Sequence, residues 1–64
     1  MDVIVKGEIL YRDIMTIGFI PEGEKRIVTI PCDYVAVVED IGGTTIHLSE
    51  GLASKLQLKG KEVV

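Results

Sequence analysis

The residues of this chain best suited to chemistry are Cys32, Asp33, His47 and Asp40, and the cysteine and the histidine each occur once. A nucleophilic thiol needs a positive surrounding or an adjacent base to lower its pKa. Cys32 sits in a Pro-Cys-Asp turn where Asp33 works against that, and the nearest basic residues in sequence are Lys25 and Arg26. A lone cysteine in such a turn reads as a small buried filler. His47 alternates with Ile46 and Leu48 and is expected to face away from them. Joined with Cys32 and Asp33 it would supply ligands for a metal, doubled by two-fold symmetry, but no spacing in the chain asks for one. No catalytic residue, metal or cofactor is therefore expected, and the chain reads as a non-enzyme.

The elements that would position these residues are nearly all strands. Val3 to Tyr11 alternates, with Val3, Val5, Ile9 and Tyr11 on one face, Lys6, Glu8 and Arg12 on the other, and Gly7 marking a bend, a bulge or a close approach. Ile14 to Ile20 is apolar on both faces, which one small chain covers with difficulty: either Ile14, Phe19 and Ile20 lie at an interface between copies, or this is a barrel strand whose outer face the helix covers. Pro21-Glu22-Gly23-Glu24 is a turn. Ile27 to Val38 is the most apolar and β-branched stretch, interrupted at Pro31-Cys32-Asp33, and predicts a hairpin around which the rest packs. Pro31 cannot donate to a ladder and belongs at an edge or a strand end. Glu39 to Gly43 is a further turn and Thr44 to Leu48 a fifth strand. The period then changes: Ser49 suits a helix N-cap, Glu50 its first turn, and Leu48, Leu52 and Leu56 recur every fourth residue beside Ala53. The apolar end, Val63-Val64, is expected to pair with an existing strand of this chain or a neighbour, and both residues are assigned to the interface. The pattern predicts one mainly β domain over residues 1–64: a small barrel or a strongly bent antiparallel sheet of five to six short strands, with one short C-terminal helix.

Two stretches resemble known families. Glu39-Asp40-Ile41-Gly42-Gly43-Thr44-Thr45 resembles the catalytic turn of retropepsin-like aspartic proteases, where each half-site supplies one Asp. The resemblance covers the turn alone, Ile41 stands where that family has Thr or Ser, and an acidic hairpin turn accounts for the same residues. Thr45 to Val63 resembles both the AbrB-like DNA-binding and antitoxin fold and the molybdate-binding Mop-like domain, through a strand, a short helix from Ser49 and a Leu56-Gln57-Leu58 turn. One segment resembling two unrelated folds is a generic capped helical turn returning into a strand, and no function is carried over from it.

Composition bounds the rest. Sixty-four residues bury only roughly 60% of the surface of the unfolded chain, so the core is marginal. One Cys excludes an internal disulfide, and one Cys with one His excludes a four-ligand structural zinc site within one chain. An apolar fraction of 47% is high for so much surface and points to apolar surface covered by another copy or another protein. Ten acidic residues against seven basic ones, net charge −3, argue against a general nucleic-acid binder and suggest a protein partner with a basic surface. Glu22, Glu24, Asp33, Glu39 and Asp40 all fall in turns and would form an acidic contact rim if the turns gather at one end. Lys55, Lys59 and Lys61 cluster near the C-terminus and would touch phosphate in a nucleic-acid reading.

The N-terminal MDVIVKGEIL has no basic region followed by a long apolar run. No stretch approaches the ~20 apolar residues of a membrane helix. The expected setting is the cytoplasm, with no membrane partner. The leading expectation is a small binding and regulatory module acting as a homo-oligomer through its acidic turns. The alternatives are an acidic phage or mobile-element inhibitor that imitates nucleic acid, and a binder of nucleotides or other small ligands with its pocket between subunits.

Overall fold

The computed structural model describes residues 2–63. The expected alternation of the first segment produces the central strand, β1 (Asp2–Arg12). It is followed by β2 (Thr16–Pro21), β3 (Val28–Pro31), a 3₁₀ turn over Cys32–Tyr34, β4 (Val35–Asp40), β5 (Gly43–Ser49), α1 (Glu50–Lys55) and β6 (Lys61–Val63). The fold is mainly β: five antiparallel strands in the order β3-β2-β1-β5-β4, with β6 added on β1 and one short C-terminal helix. The sheet is strongly bent and does not close, so of the two predicted forms it is the bent sheet rather than the barrel.

β1 is long enough to serve three partners. Its first half pairs β5, Asp2 opposite Ser49 through Gly7 opposite Thr44, and also β6, Asp2 opposite Val63 through Ile4 opposite Lys61. Its second half pairs β2, with a bulge between Ile9 and Tyr11. The extra residue at a bulge bends the strand and raises its twist. Gly7 stands where β1 passes from one set of neighbours to the other, and a Cβ there would fall against the Ile20 carbonyl oxygen and the Phe19 ring. The close approach expected at this glycine is present.

The core lies inside the bend. Val3 and Val5 of β1, Ile17 and Phe19 of β2, Val28 and Ile30 of β3, Ile46 and Leu48 of β5, Ala53 of α1 and Leu58 form one buried cluster. The helix covers one end of it. Ser49 accepts the Leu52 N–H at 3.2 Å, the expected N-cap bond. The core also has an open mouth lined by Arg12, Asp13, Ile14, Ile17, Cys32, Val35 and Val37.

Two expectations are corrected. Val28–Pro31 and Val35–Asp40 do not form a hairpin with each other. They are the two ends of the strand order, β3 paired only with β2 and β4 only with β5. Pro31 closes β3 at its edge, as its missing N–H requires, and the 3₁₀ turn then carries the chain across the mouth rather than back along the same strand. The organising strand is β1. The second correction concerns Ile14 to Ile20. The strand begins at Thr16, because Asp13 accepts the N–H groups of both Met15 and Thr16 at 2.8 Å and holds the preceding residues in a turn. Ile14 is 95% exposed in that turn, and Phe19, with none of its surface exposed, belongs to the core and has no surface to offer a partner. Ile20 is half-buried. Val63 pairs with Asp2 through the β6 backbone, and Val64 lies outside the described residues.

Candidate functional site

The acidic turns are the candidate site, and the register of β1 decides where they lie. Gly7 is opposite Pro21 on one edge and Thr44 on the other, and Thr44 is opposite Glu39. The turn after β2 and the hairpin between β4 and β5 therefore flank one point of β1: Pro21 and Thr44 stand two inter-strand spacings apart, about 10 Å, and Glu39, on the next strand out, stands three from Pro21, about 14 Å. The first turn is closed by the Glu24 N–H on the Pro21 carbonyl at 3.0 Å, with Gly23 at φ +80°, a left-handed conformation that suits glycine. The Glu22 N–H donates to the Lys6 carbonyl at 3.0 Å and fastens this turn to β1. The second is a two-residue connection, Ile41-Gly42, between the opposed pair Asp40 and Gly43. The Asp40 carboxylate accepts the Gly42 N–H at 2.7 Å. That bond braces the turn in the manner of an Asx turn.

The carboxylates are not equivalent. Glu22 pairs with Lys6 at 3.8 Å, both side chains well exposed. Glu24 pairs with the Arg26 Nε at 2.5 Å. Glu39 and Asp40 are exposed, and neither joins an ion pair among the described residues. Glu8 lines one concavity with Glu22 and Glu24. Asp33 is separate: it sits in the 3₁₀ turn at the mouth, next to Cys32, whose N–H donates to the Met15 carbonyl at 2.9 Å. Of the five residues singled out in sequence, Glu22 and Glu24 lie in the turn on one side of β1, Glu39 and Asp40 lie beyond β5 on the other, and Asp33 lies in neither place.

Arg26 is the residue that sequence reasoning passed over. Besides Glu24 it donates to the Leu56 carbonyl at 3.1 Å and the Gln57 carbonyl at 2.5 Å. These are the carbonyl of the C-cap of α1, which has no partner within the helix, and that of the residue after it. The helix ends in a Schellman arrangement, Leu58 N–H to Ala53 carbonyl at 2.8 Å and Gln57 N–H to Ser54 carbonyl at 3.1 Å, with Gln57 in the left-handed region at φ 57°. One guanidinium thus ties the acidic turn to the helix end. No local pattern links residues 30 and 31 positions apart.

The other candidates are placed as follows. Cys32 is half-buried against the core, and its thiol donates to the Asp13 carbonyl at 3.5 Å. His47 lies on the outer face of β5, half-buried between Ile4 of β1 and Ala36 of β4. No group of three or more His, Cys, Asp or Glu side chains able to hold a metal is assembled among the described residues. Lys59 and Lys61 line a concavity together with Lys6, Glu22 and Glu24, so acid and base alternate there. The Asp13 carboxyl is held below its ordinary value by the Thr16 and then the Met15 backbone N–H. Among the described residues no helix is long and apolar enough to cross a membrane.

No protein-family model, curated protein or solved structure matches the chain.

Proposed function

We propose that this protein is a small non-enzymatic binding and regulatory module that acts as a homo-oligomer and contacts a protein partner with a basic surface through its acidic turns. The observation that carries the reading is the register at Gly7, which sets the β2–β3 turn and the β4–β5 hairpin on either side of one point of β1. Exposed carboxylates gathered this way steer a basic surface toward them and fix its orientation. Asp40, outside any ion pair of the described residues, has its charge free for a partner, whereas Lys6 already offsets Glu22 in part. The chain's excess of acidic over basic residues acts in the same sense.

The test is affinity. The untagged protein is used to capture its partner from host extract, the partner is purified, and binding is titrated. The double reversal Glu22→Lys with Asp40→Lys is expected to weaken binding at least about tenfold and to flatten its salt dependence. Asp33→Lys, a single reversal placed away from these two turns, is expected to leave it within about twofold. Unchanged affinity in the double reversal, with the fold intact by circular dichroism, overturns the acidic-turn contact.

A further inference from the structure

β4 is the least guarded strand of the sheet. Natural edge strands carry a lysine, a proline, a bulge or a cover that discourages pairing with another chain. β3, at the other end of the order, has four residues and stops at Pro31. β4 has six, its ladder with β5 runs without a register shift, and Val35, Ala36, Val37 and Val38 contain neither proline nor charge. Val35 and Val37 face the core side, across from Leu48 and Ile46, and they line the open mouth with Arg12, Ile14 and Ile17. Ala36 and Val38 are exposed on the outer face, Val38 at 43%. Arg12 and Glu39 are in no ion pair among the described residues.

We infer that β4 pairs antiparallel with β4 of a second copy about a two-fold axis, joining the two bent sheets edge to edge and bringing their open mouths together. This deepens the homo-oligomer reading above and rests on it. Directly opposed residues of an antiparallel pair lie on the same face. The register centred on Val37 meets that condition and pairs five of the six strand residues: Val37 with its counterpart, Ala36 with Val38, and Val35 with Glu39. It sets the Glu39 carboxylate of each copy opposite Val35, beside Arg12 at the mouth, so two symmetric charge pairs form and the two Glu39 side chains stay apart. A second copy brings this complement, an apolar run opposite itself with the acid delivered to the base. Glu39 then serves the contact between copies, and Glu22 and Asp40 remain for the partner.

The test is sedimentation velocity over a concentration series with side-chain swaps on the exposed outer face. The wild-type chain is expected to dimerise. Ala36→Lys with Val38→Lys sets lysine against lysine in both cross-strand pairs and is expected to raise the dimer dissociation constant at least about tenfold. Ala36→Lys with Val38→Glu sets lysine against glutamate in the same two pairs and is expected to keep the dimer. If the wild type dimerises and both variants dimerise equally, the β4 edge is overturned while self-association stands. If the wild type is a monomer at every concentration, the homo-oligomer reading fails and the edge pairing fails with it. Loss of the dimer in both swaps, with both folded by circular dichroism, overturns the Val37-centred register.

Discussion

β2 and β4 are both six-residue strands rich in apolar side chains, TIGFIP and VAVVED, and the sheet treats them in opposite ways. β2 lies between β1 and β3, and Ile17, Gly18 and Phe19 are buried in succession. β4 has one neighbour, and none of its residues is fully buried. Hydrophobic burial is set by area removed from water, and the area a strand loses depends on how many strands flank it and whether the bend folds over it. Composition alone does not separate the two. The difference teaches that a stretch apolar on both faces is equally at home as an interior strand of a bent sheet or as an edge.

The contrast is broken or sharpened by substitution. The largest effect is expected at Phe19, fully enclosed between β1 and β3. Phe19→Ala is expected to cost about 3–5 kcal/mol in urea unfolding, whereas Val38→Ala on β4 is expected to stay within about 0.5 kcal/mol for the monomer. Equal losses at the two sites would mean that β4 is covered in solution. A smaller effect is expected at the seam between β1 and β2. Gly7→Ala drives a methyl against the Ile20 backbone carbonyl, which cannot swing aside as a side chain end can. The expected cost is about 1–3 kcal/mol, read in the same unfolding experiment.

The smallest effect is at the entry to β2, and it depends on pH. The Asp13 carboxyl is held below its ordinary value by the Thr16 and then the Met15 N–H groups. A depressed pKa contributes stability that is fully present above the unfolded carboxyl value and is lost as pH falls through the folded one. Asp13→Asn is expected to lower the melting temperature relative to wild type near neutrality, and the gap is expected to close only below the ordinary aspartate value of 3.8. A gap that stays constant through that acid range would assign the effect to altered turn geometry rather than to charge.

The same pair of strands marks how far the fold was legible. β1, β5, the turn at Pro21 and the Ser49-capped helix follow from local patterns: alternation, turn chemistry and a capping hydroxyl on the Leu52 amide. The pairing of Val28–Pro31 and Val35–Asp40 did not, because strand neighbours are chosen by contacts distant in sequence. The three-residue 3₁₀ turn between them has the length of a hairpin loop without its geometry. Ile14 read as strand because its type suits one, while the Asp13 carboxylate, a single side chain, moved the boundary to Thr16. The acidic turns were legible as turns. Their meeting beside Gly7 and the separation of Asp33 depend on register, and the tie from Arg26 to the helix end depends on packing, neither of which is written in local spacing.

The place of β1 at the centre of the sheet has a consequence for biosynthesis. β1 precedes in sequence every strand it pairs with, so it is made before all its neighbours and waits for them. β2 can join it early, but β5 arrives only with residues 43–49 and β6 with residues 61–63. At synthesis rates of about 5–20 residues per second, Val3 and Val5 spend seconds with no strand beside them, far longer than hairpin formation takes. The half-made chain is therefore a two- or three-stranded fragment with one apolar edge bare, and the core closes only once β5 and the helix behind it have been made.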